Sequence, residues 1–180
     1  MIIGLTGYAQ SGKDTVANYL VRQHGFTRVA FADKIRDVLY EMNPIVNGEP
    51  LQITVDVEGW DKAKQRPSIR LLLQNLGVAA RKHIDEDVWI RAALSASDLN
   101  TDIVVTDVRF LNEADRILFY SKMTGQAAEV WRIERPGVAA VNGHVSEHDM
   151  VNYEVDQVFI NNGSIEDLEH SIKVRLMANL

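Results

Sequence analysis

The chain has 180 residues, 46% of them hydrophobic and 24% charged, the make-up of a soluble globular protein large enough to bury one sizeable core. Its net charge of −6 excludes a surface that coats nucleic acid, so any anionic ligand must be met by a local basic pocket. Cysteine is absent, which removes disulfides, thiolate metal sites and a cysteine nucleophile, and no apolar stretch approaches a membrane span.

The chain begins with Ile2-Ile3-Gly4-Leu5-Thr6, an apolar run of buried-strand type. Gly7-Tyr8-Ala9-Gln10-Ser11-Gly12-Lys13 follows, and then a helical pattern over Val16, Ala17, Tyr19 and Leu20. Strand, glycine loop with G-x4-G-K spacing, and helix in that order form the context of a phosphate-binding P-loop. Gly7 and Gly12 permit the tight turn that directs N–H groups inward. The helix aims its positive end at the same point, and Lys13 adds a full charge. Where the strict pattern has Ser or Thr, this chain has Asp14 and then Thr15. A carboxylate there is expected to hold Mg²⁺ through water, with Thr15 capping phosphate oxygens. That arrangement suits a small-molecule kinase better than a GTP switch. The expected ligand is a nucleoside triphosphate. Its distribution in the cell, with a first segment that reads as a strand and not a signal peptide, places the chain in the cytoplasm.

The P-loop helix is expected to end at His24-Gly25, and Phe26 to Ala32 reads as a second strand. Asp33 reads as the N-cap of a helix through Tyr40. In a doubly wound sheet the strand ends face the ligand, so Asp33, Lys34 and Arg36 stand near the rim of a second-substrate site, or serve as cap and solvated charges. Residues 43–66 are the least regular stretch and read as an insertion covering the site, with Trp60 packing it down. From Pro67 the pattern is helical, with Ile69, Leu72, Leu73 and Leu76 on an apolar face and Arg70 and Gln74 on another. Arg70 with Arg81 forms a candidate clamp for a phosphate or carboxylate. Asp85-Glu86-Asp87 is expected to open another helix.

Asp102 to Thr106 is an apolar strand ending in Asp107-Val108-Arg109. A carboxylate at the tip of a buried strand is the Walker-B arrangement, able to hold Mg²⁺-bound water; the competing role for Asp107 is capping a helix from Asn112. Gln126 to Ile133 is a further strand, leading into Arg132, Arg135 and an irregular stretch to Met150. Basic residues before such a stretch predict a lid, about 134–150, whose arginines close over phosphates. Val155 to Ile160 is the last strand, Asn161-Asn162-Gly163 a turn, and Ser164 to Asp167 a capping-box start to a terminal helix.

These segments resemble the bacteriophage deoxynucleoside monophosphate kinases, within the larger group of P-loop nucleotide kinases. The likeness rests on Ser11-Gly12-Lys13-Asp14-Thr15, on Leu73-Gln74-Asn75-Leu76-Gly77 with Arg81 and Trp89, on Val105 to Phe110 with Asn112-Glu113-Ala114, and on His144-Val145-Ser146-Glu147. It covers most of the chain except 43–66. It implies one α/β domain over 1–180, a three-layer P-loop kinase fold whose five-stranded, mainly parallel sheet is flanked by helices and carries a small lid. The implied reaction transfers the γ-phosphoryl group of ATP to a deoxynucleoside 5′-monophosphate, with Mg²⁺. On that likeness Gln10 to Thr15 hold the donor phosphates, with Lys13 central, and Asp14 or Asp107 order the Mg²⁺ shell. Arg70, Arg81 and Arg109 hold the acceptor phosphate or spread transition-state charge. Gln74 and Glu113 reach the acceptor base, Trp89 stacks on it or sits in the core, and Arg132 and Arg135 contact ATP. A homodimer is compatible with the likeness; a nucleic-acid polymer or a membrane is not expected as a partner.

Two other readings compete. Ile3-Gly4-Leu5-Thr6-Gly7 with Ser11-Gly12-Lys13 is also similar to dephospho-coenzyme A kinases, whose acceptor hydroxyl needs a base such as Asp33. A non-catalytic nucleotide-binding regulatory module is the other, weakened by the lack of an Asn-Lys-x-Asp motif.

Overall fold

The first apolar run forms a strand (β1, Ile2–Thr6) that is buried along its whole length, as a strand paired on both sides and covered on both faces must be. The computed structural model describes residues 1–95, 97–98, 100–140 and 144–178. After β1 come α1 (Lys13–His24), β2 (Thr27–Val29), α2 (Phe31–Met42), β3 (Ile45–Val46), β4 (Glu49–Pro50), α3 (Leu51–Glu58), α4 (Trp60–Ala63), α5 (Pro67–His83) and α6 (Val88–Leu94). Then follow β5 (Ile103–Val105), α7 (Leu111–Thr124), β6 (Ala128–Glu134), a 3-10 turn at Val145–Glu147, β7 (Gln157–Ile160) and α8 (Ile165–Ala178). They form two compact units, Met1–Ala30 with Ser97–Leu180, and Phe31–Ala96. No helix among the described residues is long and apolar enough to cross a membrane.

In the first unit the five strands run in the order β2-β5-β1-β6-β7, with every pairing parallel. Alternation along β1 assigns its two faces. Ile3 and Leu5 join Val16, Ala17 and Leu20 of α1 and Leu168 and Ile172 of α8 in one core. Gly4 looks the other way, where α7 presses Ile117 onto it; a Cβ at Gly4 would lie 2.7 Å from Ile117 Cδ1 and 3.0 Å from Val108 Cγ2. Helices on both faces of a parallel sheet give the expected three-layer α/β fold. Helix α8 is tied to β6 by a mostly buried ion pair, Arg175 Nη2 to Glu129 Oε1 at 2.8 Å. Gly25 ends α1 in the left-handed conformation at φ 72°, as predicted. The capping box at α8 forms too: Ser164 N donates to Asp167 Oδ2 and Asp167 N to Ser164 Oγ. The Ser164 N–H, then its hydroxyl, hold the Asp167 carboxyl below its ordinary value.

The second unit departs from expectation in three places. Residues 43–66 are regular: Asn47 and Gly48, at φ 54° and 88°, form the two-residue turn of a β3–β4 hairpin, and α3 and α4 follow. Leu39, Val46, Leu51, Val55, Ala63 and Ile69 form their core, with Trp60 packed against it. Helix α2 begins at Phe31, so Asp33 lies inside the first turn and is not its N-cap, a position where a carboxylate is still favoured by the helix dipole. Asp85 to Asp87 form a turn ahead of α6, where Asp87 N donates to Asp85 Oδ1 at 2.8 Å.

The tight seat of Ile117 makes Gly4 a stability determinant. Gly4→Val is expected to destabilise the fold by about 1–3 kcal/mol, read as a lower urea midpoint with an unchanged slope.

Candidate active site

The loop between β1 and α1 has the backbone its glycines predict. Gly7 stands at φ 131° and Gly12 at φ 113°, with Gln10 at φ 65° between them. Both glycines are also forced by neighbours: a Cβ at Gly7 would come within 2.3 Å of the Ile133 carbonyl oxygen, and one at Gly12 within 2.5 Å of Asn161 Nδ2. Ser11 N donates to Tyr8 O at 3.2 Å and Val16 N to Gly12 O at 3.1 Å, closing the turn into α1. No side chain caps α1, which leaves its first N–H groups to an anion. Lys13 Nζ folds back over the loop and donates to Gly7 O and Tyr8 O, each at 2.7 Å. Ser11 is buried, and its Oγ makes no hydrogen bond, a donor waiting for an oxygen. Asp14 is exposed and Thr15 half-buried on the first turn.

Beside the loop lies a cavity of about 290 Å³. Ser11, Arg109, Arg132 and Arg135 all line it; among the described residues Glu134 is the one carboxylate there, and the rest of the wall is largely apolar. Arg132 Nη2 donates to Met150 O at 2.6 Å and Tyr153 O at 2.8 Å, so it also fastens the segment returning from the expected lid. Two further ties hold that segment to α7: Leu111 N to Asp149 Oδ2 at 2.9 Å, and Tyr153 Oη to Asp115 Oδ1 at 3.1 Å. Burial, with the Asp115 carboxylate beside it, pushes the Tyr153 hydroxyl up to about 12. Residues 141–143 of the expected lid lie outside the described residues. Beyond them, His144 Nδ1 pairs with Ser146 Oγ at 2.9 Å.

Asp107 sits half-buried at the tip of β5. The backbone on either side of it is fixed, Thr106 N to Val29 O and Val108 N to Leu5 O, each at 3.0 Å. The N-cap position of α7 is Phe110 and not Asp107, and Glu113 serves the helix entry. Glu113 Oε2 accepts from Arg109 N at 2.8 Å and Phe110 N at 3.1 Å, and the residue is 4% exposed. The expected reach of Glu113 to the acceptor base would thus come from a carboxylate whose Oε2 already accepts from two backbone N–H groups. Among the described residues no three His, Asp or Glu side chains group as a metal site.

Asp33, Lys34, Arg70, Gln74, Arg81 and Trp89 all belong to the second unit. On α5, Arg70, Gln74, Gly77 and Arg81 fall at helical repeats of four, three and four, which is one stripe. Arg70 Nε donates to Lys64 O at 3.3 Å. Trp89 is a core residue: it is 6% exposed and its Nε1 donates to Gly77 O at 2.9 Å, so its ring offers no face for a base. Asp33 Oδ1 accepts from Arg36 Nη1 at 2.9 Å, and Lys34 Nζ donates to Asp37 Oδ2 at 3.0 Å. Ser11 is legible in the sequence as part of the donor-phosphate loop, whereas one participant is missed there. Asn161, whose Nδ2 donates to Ser11 O at 2.8 Å, looks like turn punctuation 150 positions away.

The family model for deoxynucleotide monophosphate kinase matches residues 51–172, including 51–66, which the sequence resemblance had left without a counterpart. A protein of Acanthamoeba polyphaga mimivirus, provisionally named a deoxynucleotide monophosphate kinase, is 29% identical over 188 residues, covering 96% of this chain and 94% of its own. Among solved structures, the APS kinase of Mycobacterium tuberculosis in complex with AMPPNP and APS has a TM-score of 0.51 at 13% identity, covering 98% of this chain and 96% of that one. At that identity the likeness speaks for the fold alone. Shikimate kinase from Aquifex aeolicus has a TM-score of 0.47 at 14% identity, covering 99% of this chain and 98% of that one. With a family model spanning more than half of its length, the chain belongs to the deoxynucleotide monophosphate kinase family of phosphotransferases.

Proposed function

We propose that the protein transfers the γ-phosphoryl group of ATP to a deoxynucleoside 5′-monophosphate, giving the diphosphate. The observation that carries this reading is the pairing of an open α1 N-terminus with a buried, unbonded Ser11 hydroxyl, on the wall of a cavity that Arg109, Arg132 and Arg135 also line. A triphosphate is what such a cradle fits: inward N–H groups, one lysine and several guanidinium groups around a small volume.

In the proposed reaction the N–H groups from Gln10 to Thr15 and the Lys13 ammonium hold the β- and γ-phosphates. Lys13 must then exchange its two loop carbonyls for phosphate oxygens, trading neutral acceptors for anionic ones. Arg109 and Arg135 spread the charge that builds on the transferred group, while Arg132 keeps the returning segment in place. Asp14 and Asp107 are the residues that would order Mg²⁺ through its water. When bound, that ion neutralises the donor phosphates. Arg70, Gln74 and Arg81 bind the acceptor, the arginines its phosphate and Gln74 its base. No general base is required, because the acceptor phosphate is already an anionic nucleophile. The chemistry therefore reduces to positioning and charge compensation.

Three measurements test this. A coupled assay with Mg²⁺-ATP is expected to show turnover with at least one of dGMP, dTMP and dCMP; phosphorylation of dephospho-coenzyme A alone would overturn the reading. Lys13→Ala is expected to keep its circular dichroism spectrum but lose about 2–4 kcal/mol of transition-state stabilisation, roughly 30- to 1,000-fold in kcat. Arg70→Ala and Arg81→Ala should each raise the KM for the monophosphate about tenfold or more while the KM for ATP moves far less.

A further inference from the structure

We propose that Asn161 is a positioning residue for the phosphate loop, one that sets the direction of the Gly12 N–H. Its side chain donates from Nδ2 to the carbonyl oxygen of Ser11 at 2.8 Å. A peptide unit is planar, with its C=O and N–H pointing opposite ways. Tethering the Ser11 carbonyl on the Asn161 side therefore aims the N–H of Gly12, the other half of the same peptide, away from Asn161. That N–H stands at the N-cap of α1, where a phosphate oxygen is expected.

Asn161 is itself held from behind. Its own N–H donates to Glu134 O at 2.7 Å, extending the β6–β7 ladder one step past the Glu134–Ile160 pair. On its other side the chain passes through Gly163 into the Ser164–Asp167 capping box. The carboxamide is thus delivered by the end of the sheet and the start of a capped helix. It also occupies the space that a side chain at position 12 would need, since a Cβ there would meet Nδ2 at 2.5 Å. Gly12 and Asn161 form one device: the absent side chain makes room, and the amide fills it with a directed donor. A loop oriented before the ligand arrives loses less freedom on binding, so removal of the tether should weaken the donor nucleotide selectively.

This inference rests on the ATP-dependent reading above, and calorimetry with ATP separates the two. A wild-type protein that takes up no ATP overturns that reading and this one together. With wild-type binding established, Asn161→Ala is expected to raise the KM for ATP about tenfold and the KM for the deoxynucleoside monophosphate less than twofold. Asn161→Asp keeps the shape but replaces the donor with a carboxylate facing the Ser11 carbonyl, and is expected to weaken ATP further. It also serves as the readout if Asn161→Ala does not fold. Unchanged ATP KM in either folded variant, or a parallel rise in both KM values, would overturn the positioning role.

Discussion

One carbonyl oxygen decides where the phosphate loop lies. Ile133 O of β6 sits so close under Gly7 that no other residue fits there, and the loop rests on the sheet itself. The closeness follows from β1 and β6 being hydrogen-bonded neighbours in register from Ile2 to Thr6. It also fixes what else arrives at the loop. Ile133 points into the core shared with α1 and α8, while its neighbour Arg132 falls on the opposite side of the strand and lines the cavity with Arg135 just beyond. A buried strand beside a glycine loop is therefore a means of delivering guanidinium groups.

The charge distribution follows the same economy. A chain of net charge −6 has no general attraction for nucleotides, so whatever draws one in must be local. Among the described residues of the first unit, three arginines line the cavity against one carboxylate. Field lines between low-dielectric walls are focused, and the helix N-terminus adds its partial charge at the same place. Glu113 and Asp149 show how nearby acids are kept from cancelling this. Each is bound to backbone N–H groups at the entry to α7.

Sequence patterns revealed those parts of the structure whose signals are short-range. The strand–loop–helix of residues 2–24, the Gly25 stop and the Ser164–Asp167 box each lie within a few residues of one another, and all form as read. Residues 43–66 looked irregular because Pro44, Gly48, Pro50 and Gly59 crowd together, yet those residues punctuate short elements. Asn47-Gly48 is itself the strongest two-residue hairpin signal. Trp89 and Glu113 illustrate the other limit. Their residue types suit a base contact, but Trp89 is buried with its indole N–H on Gly77 O, and the Glu113 carboxylate accepts from Arg109 N and Phe110 N at the entry to α7. The tie from Asn161 to Ser11 is longer still, legible only once β7 is placed beside β6.

Asp14 remains the position where physics pulls two ways. With the loop empty, a carboxylate in the first turn of α1 is favourable, worth about 0.3–1 kcal/mol against the helix dipole. Next to a bound triphosphate the same charge is repulsive, because phosphate and carboxylate compete for one positive helix end. With a divalent cation bound, Asp14 would be a residue able to hold its water, and the ion's charge would offset the repulsion. On the proposed reaction, Asp14 therefore disfavours nucleotide bound without its metal and accepts nucleotide bound with it. A serine or threonine at this place would ligate the ion without such discrimination. On that reaction, the departure from the strict loop pattern would act as a filter on the donor's charge state, set by one exposed side chain in the first turn of α1.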